Sequence, residues 1–310
     1  METSSTRKVW IVRQDPGYRA VMAASRFHGS IHIADHGGSG RPMILVHGLG
    51  GSHVNWSQVA QRLCAHAEVL AIDLPGFGLS APVRHGDLEA NVEALRSVAG
   101  AQQEPATLIG NSMGGLVAMM LAALHPDLVS ELVLVSPAAP LPRFVPPPSP
   151  RIAAQLLLQS VPGVGAAFTN AFRTRLTPAQ QVHLAFSSIA VRPVSPDAID
   201  EAVDLARIRS TFPWVGTAFS ESAASVRSWL MRPGKYMEMT RSIDKPTLVI
   251  WGDHDPVVSP QALESLLEHR PDWQASVFAG VGHVPQLESP VQFADTVIEW
   301  LARVGIPGRK

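Results

Sequence analysis

Ser112 stands in Gly110-Asn111-Ser112-Met113-Gly114, the G-x-S-x-G spacing that holds a serine hydroxyl out on a tight turn between a strand and a helix. That hydroxyl is a weak nucleophile until a neighbouring base takes its proton, and a histidine base must be held in one tautomer by a carboxylate. The chain supplies both partners further on. Gly252-Asp253-His254-Asp255-Pro256 carries two acids, and Gly280-Val281-Gly282-His283 carries an imidazole. Upstream, His47-Gly48-Leu49-Gly50-Gly51 is a turn whose backbone N–H groups can aim at a developing oxyanion. Taken alone, the pentapeptide also reads as an ordinary turn and the glycine run as a flexible loop. Taken together they point to an oxyanion hole whose donors are the N–H groups of Leu49 and Met113.

These residues need a scaffold, and the surrounding pattern describes one. Short β-rich runs recur at Ser30 to Ala34, Pro42 to Val46, Val69 to Asp73, Ala106 to Gly110, Glu131 to Val135, Pro246 to Trp251 and Ala275 to Phe278. Several are continuous Val/Ile/Leu runs, as expected of parallel strands buried on both faces. Helix-like segments alternate with them, which predicts an α/β fold with a mostly parallel sheet flanked by helices. Ala106 to Gly110 then reads as the strand before the serine turn, and Gly115 to Leu124 as the helix after it. The remaining candidates also follow strands, at the edge where such sheets carry their sites.

The chain between Val135 and Pro246 is too long for one crossover connection. It opens with the proline-rich stretch Pro137 to Pro150 and continues through apolar helical patterns at Ile152 to Leu158 and Ala198 to Ile208. This predicts a helical cap over 138–210 between two parts of a core, 1–137 and 211–310, with Thr211 to Ser228 returning to the core as a helix. Leu156-Leu157-Leu158 and Val161 to Phe168 are read as the lining of an acyl-accepting pocket, although any helix covering a sheet must bury one apolar face.

Composition narrows the partners. Lys plus Arg is 25 against 26 for Asp plus Glu, so no positive field exists to draw nucleic acid, and a small, largely uncharged substrate fits better. With 46% hydrophobic and 16% charged residues the chain can bury a large core. Its single cysteine, Cys64, has no partner for an internal disulfide or a thiolate metal cluster. Met1 to Arg13 lacks the apolar run of a signal peptide, and no apolar stretch reaches the ~18 residues of a membrane span, which fits a cytoplasmic protein.

Five blocks resemble the α/β-hydrolase superfamily between about Ile31 and Leu301: His47-Gly48-Leu49-Gly50, Asp73-Leu74-Pro75-Gly76-Phe77-Gly78-Leu79-Ser80, Gly110-Asn111-Ser112-Met113-Gly114-Gly115, Trp251-Gly252-Asp253-His254-Asp255, and Gly282-His283 followed by Glu288-Ser289-Pro290. The resemblance implies that Ser112 is the nucleophile and His283 the base. It assigns the acid to Asp255 and leaves Asp253 as a turn residue. It implies hydrolysis of a carboxylic ester, with acyl glycerols and other lipid-like esters among the candidates of this esterase and lipase branch, through an acyl-enzyme and with no metal or organic cofactor. Serine at the turn argues against the haloalkane dehalogenase and epoxide hydrolase branches, which place aspartate there. A carbon–carbon hydrolase of the meta-cleavage type is the nearest rival, since it is similar in Gly-Asn-Ser-Met-Gly-Gly and in having a cap. Gly48-Leu49-Gly50-Gly51-Ser52 departs from its longer glycine run, and Val284-Pro285 replaces its aromatic residue after the histidine. A non-catalytic ligand-binding protein on the same fold is the rival of another class.

The other histidines carry less. His28, His32 and His36 recur every four residues, but Ile31-His32-Ile33 reads as strand, which removes the helical metal face. His254 reads as a surface residue and His47 as loop packing.

Overall fold

The computed structural model describes residues 24–304. Eight strands form one sheet: β1 Ala24–His28, β2 Ile31–Gly37, β3 Pro42–Val46, β4 Glu68–Ile72, β5 Ala106–Asn111, β6 Val129–Val135, β7 Thr247–Gly252 and β8 Gln274–Phe278. Their order is β1-β2-β4-β3-β5-β6-β7-β8, with the β1–β2 and β2–β4 pairings antiparallel and the pairings from β4–β3 to β7–β8 parallel. The direction in which the chain adds strands reverses between β3 and β5. Ligand crevices of open α/β sheets form at the carboxyl ends flanking such a switch.

Helices α1 Ser57–Leu63, α2 Leu88–Ala99 and α3 Met113–Leu124 come from the first half of the chain. The stretch between β6 and β7 holds α4 Pro150–Gln159, α5 Val164–Arg175, α6 Pro178–Ile189, α7 Pro196–Arg209, α8 Val215–Leu230 and α9 Pro233–Ser242. α10 Pro260–His269, α11 Pro285–Glu288 and α12 Pro290–Arg303 complete the fold. Ser149-Pro150, Thr177-Pro178, Ser195-Pro196 and Ser259-Pro260 each open a helix: the hydroxyl accepts a first-turn N–H and the proline sits where no intrahelical N–H is needed. One apolar core lies under α2, α3, α9 and α10, and a second lies on the other sheet face under α1 and α12.

The expected strand centres lie in β2 to β8, while β1 went unpredicted. Among the inserted helices α8 packs on α4 and α5 and also on α2 and α9. It links the insertion to the core as much as it belongs to either. Leu157 is 53% and Phe168 37% exposed, so these two side chains face outward instead of lining an enclosed pocket.

Candidate active site

Ser112 joins β5 to α3 with φ 54° and ψ −117°, a conformation an L-residue holds only when its surroundings impose it. Its N–H donates to Val135 O at 2.9 Å, and its carbonyl accepts from Ala138 N at 3.0 Å and Leu116 N at 3.2 Å. A Cβ at Gly110 would lie 2.4 Å from Gly114 O, and one at Gly114 would lie 2.3 Å from Val46 O. Both contacts are with backbone, so strand and helix approach this closely only through glycine.

The loop after β3 lies against the serine. A Cβ on Gly48 would fall 3.1 Å from Ser112 Cβ and 3.2 Å from Asn111 Oδ1. His47 holds this loop: its Nδ1–H donates to Gly48 O at 2.7 Å, and its Nε2 accepts from Leu74 N at 3.0 Å. Burial pushes the His47 pKa down to about 4, so the ring stays neutral and both bonds persist at neutral pH. The N–H groups of Leu49 and Met113 donate to no protein acceptor among the described residues. Phe219 of α8 covers the loop, its ring 3.1 Å from where a Gly50 Cβ would be.

His283 and Asp255 meet at the ends of β8 and β7. Nδ1–H donates to Asp255 Oδ2 at 2.8 Å, and the two residues are 5% and 3% exposed. Asp255 Oδ1 accepts from Val257 N at 2.8 Å and Val258 N at 2.9 Å, which fixes the carboxylate's direction. Asp253 points elsewhere, accepting from Gly280 N and from His254 Nδ1–H. Asn111 Nδ2 donates to both Val135 O and His283 O at 3.1 Å, so the residue before Ser112 holds the backbone of His283. No protein atom among the described residues hydrogen-bonds Ser112 Oγ or the second ring nitrogen, Nε2, of His283. The bond through which a proton would pass is thus open here, as is common before substrate binds.

Two roles were invisible in the sequence. Glu288 Oε2 accepts from Gly282 N (2.9 Å), Val191 N (2.7 Å) and Arg192 N (2.8 Å), while Oε1 accepts from Val284 N at 3.2 Å. Arg192 donates to Gly280 O, Ala279 O and Ser289 Oγ, and His283 N donates to Ile189 O at 2.9 Å. The end of α6 is therefore laced to the histidine loop. Glu288 was visible as part of a motif, but its partners lie 97 and 96 residues away in sequence.

His32 belongs to a separate buried cluster. Its Nδ1–H and that of His53 both donate to Asp73 Oδ2 at 2.8 Å, and Oδ2 also accepts from Leu79 N at 2.9 Å. The three side chains offer atoms close enough to share a cation, but each of those atoms already serves as a hydrogen-bond partner within the cluster. The two histidines hold the Asp73 carboxyl well below its usual range, against the opposing effect of burial. Gly78 is forced here, because a Cβ would sit 1.9 Å from Asp73 Cγ. His28 bonds Ser97 Oγ at 2.9 Å, and burial pushes the His36 pKa down to about 4, so the three four-spaced histidines share no ligand site. Above the cluster, burial lowers the Arg209 pKa to about 10, Asp73 opposing the shift and Arg173 adding to it. Arg209 Nε finds no partner among the described residues.

The family model for the alpha/beta hydrolase fold matches residues 41–290. The chain is an α/β hydrolase. This hydrolase is 29% identical over 267 residues to the pimeloyl-[acyl-carrier protein] methyl ester esterase of Vibrio cholerae serotype O1, spanning 86% of this chain and 96% of that one. It is 26% identical over 276 residues to the 2-hydroxy-6-oxo-6-(2'-aminophenyl)hexa-2,4-dienoic acid hydrolase of Metapseudomonas resinovorans, at 86% of each. Among solved structures, a putative lipase from Acinetobacter baumannii AYE superposes with a TM-score of 0.72 at 23% identity, over 91% of both chains. The first two relatives are named for different substrates, and only one of them is named an esterase, so the hydrolase fold does not by itself select an ester.

Proposed function

We propose that this hydrolase cleaves carboxylic esters, lipid-like esters such as acyl glycerols among them, through an acyl-enzyme on Ser112. His283 takes the serine proton and returns it to the leaving alcohol, and Asp255 holds the imidazole in its Nδ1–H tautomer and stabilises the imidazolium. The N–H groups of Leu49 and Met113 receive the oxyanion. Water then attacks the acyl carbon, the ester bond to Ser112 breaks, and the acid leaves. The chemistry closes without a cofactor. The carrying observation is the 2.8 Å bond between buried His283 Nδ1 and Asp255, on the loop that Asn111 ties to the serine turn. The helices from 138 to 210 act as the cap that selects the acyl group.

A fluorophosphonate probe should label Ser112, as read by peptide mass, and p-nitrophenyl esters of graded length should be hydrolysed. A protein that neither labels nor turns over would be a ligand-binding member of the fold. The meta-cleavage reading keeps one observation in its favour. Arg209 lies near enough to His47 to act on it electrostatically, and its buried Nε has no partner among the described residues, which suits a site that receives a negatively charged substrate group. Turnover of a vinylogous 1,5-diketone acid at rates above every ester would select that reading instead.

A further inference from the structure

No Asp or Glu stands between Glu131 and Asp197, whereas Arg143, Arg151, Arg173, Arg175 and Arg192 all do, in a chain of net charge −1. The same stretch presents apolar side chains to solvent. α4 and α5 both rest on α8, so their sides turned from it form one outer surface. On α5 that side carries exposed Val164, Ala167 and Phe168, then Arg175, at the spacing of one helical face. On α4 Arg151, Ala154 and Leu158 are exposed at the same kind of spacing, beside Leu157. Ahead of α4, Phe144 is 98% exposed and held at φ 66°, a left-handed conformation that costs a bulky residue energy. The Arg143 guanidinium lies 5.9 Å from its ring centroid.

Neither helix, of 10 and 12 residues, is long enough to cross a bilayer, and the two meet at a bend of 110°. Short helices with apolar side chains beside arginines suit the plane of a membrane interface. We propose that the outer surface of α4, α5 and the loop carrying Phe144 docks on an anionic lipid bilayer. Phe144, Leu157, Leu158, Val164 and Phe168 enter the headgroup boundary, and Arg143, Arg151 and Arg175 face the lipid phosphates. An acidic protein would also match the arginines, but a fully exposed phenylalanine together with four further exposed apolar side chains in the stretch that follows favours lipid. The inference stands apart from the ester reading, since docking needs no turnover.

The test is flotation of the full chain carrying Ser112→Ala with vesicles of phosphatidylcholine alone or with an equal part of phosphatidylglycerol. The protein should float with the anionic vesicles, float poorly with the neutral ones, and be released by about 0.5 M NaCl. Each arginine at an anionic surface is worth roughly five-fold in affinity, so Arg143→Glu, Arg151→Glu and Arg175→Glu combined should weaken binding on the order of 100-fold. Phe144→Ser, Leu158→Ser and Phe168→Ser combined should also weaken it, with the far-ultraviolet circular dichroism of both triple variants unchanged. Absence of flotation with anionic vesicles overturns the proposal, as does equal binding by folded variants. A face that holds only a second copy of the chain or an acidic protein, without vesicle binding, overturns it equally. None of these failures touches fluorophosphonate labelling of the wild-type chain, which tests the ester reading.

Discussion

His283 meets one carboxylate, Asp255, while Asp253 two residues earlier serves the turn at Gly280. Asp255→Asn should therefore cost about 10⁴ in kcat, as the wrong tautomer does in serine proteases, and Asp253→Asn far less. Steady-state kinetics on one p-nitrophenyl ester would decide it, and equal losses would place the acid wrongly. The residues alone left this choice open in the sequence, because both acids follow the same strand and only their side-chain directions differ. The His32, His53 and Asp73 cluster was hidden for a similar reason, its members coming from three separated stretches. His47 gives a stability prediction. Its folded pKa, about 4, lies below its ordinary value of 6.5, so between those values the unfolded chain binds more protons. Stability should fall as pH drops through that window, by on the order of 3 kcal/mol from this ring. His36, also lowered to about 4, adds to the same slope. His47→Gln should flatten the fall in Tm between pH 6.5 and 4.5, and an unchanged slope would show that the ring's burial is not felt.

At the scale of elements, the serine turn and the histidine loop are held by different means. Gly110 and Gly114 let β5, α3 and the end of β3 touch through backbone, so Gly114→Ala should cost enough to leave the protein largely insoluble, as measured by its soluble yield. The histidine loop hangs on the Glu288 carboxylate. Glu288→Gln removes the charge and turns an amide toward Val284 N–H, which should destabilise the fold by roughly 2–3 kcal/mol in a urea titration and lower kcat. A stable variant with full kcat would show that the loop is held by Arg192 alone. The strands were legible because buried Val/Ile/Leu runs have few other fates, and β3 matches its expected bounds. β1, Ala-Ser-Arg-Phe-His with an exposed pattern, has no such run and owes its place to pairing with β2. α8, which begins just beyond the boundary expected at residue 210, packs on α4 and α5 as well as on α2 and α9.

Across the whole molecule, the proposed catalytic groups sit at the sheet's switch point, and the proposal gives acyl selection to the helices of residues 138–210. Folded variants of residues 138–210 should shift the chain-length profile across the ester panel. A methylene gained or lost in an apolar pocket changes relative kcat/KM by about 10- to 200-fold, which the panel would register. A profile indifferent to every such variant would return selection to the core loops.

The lacing of α6 to the histidine loop also decides how substrate can enter. Swinging the insertion away at that end would either break the bonds from Val191 and Arg192 to Glu288 and from His283 to Ile189 or drag the loop of His283 along with it. An enzyme opened there would be disarmed while open. α4 and α5, by contrast, pack on α8, and α4 follows directly on the loop that leaves β6. The insertion is thus bolted at the end of α6, and the bolt is the loop that carries His283.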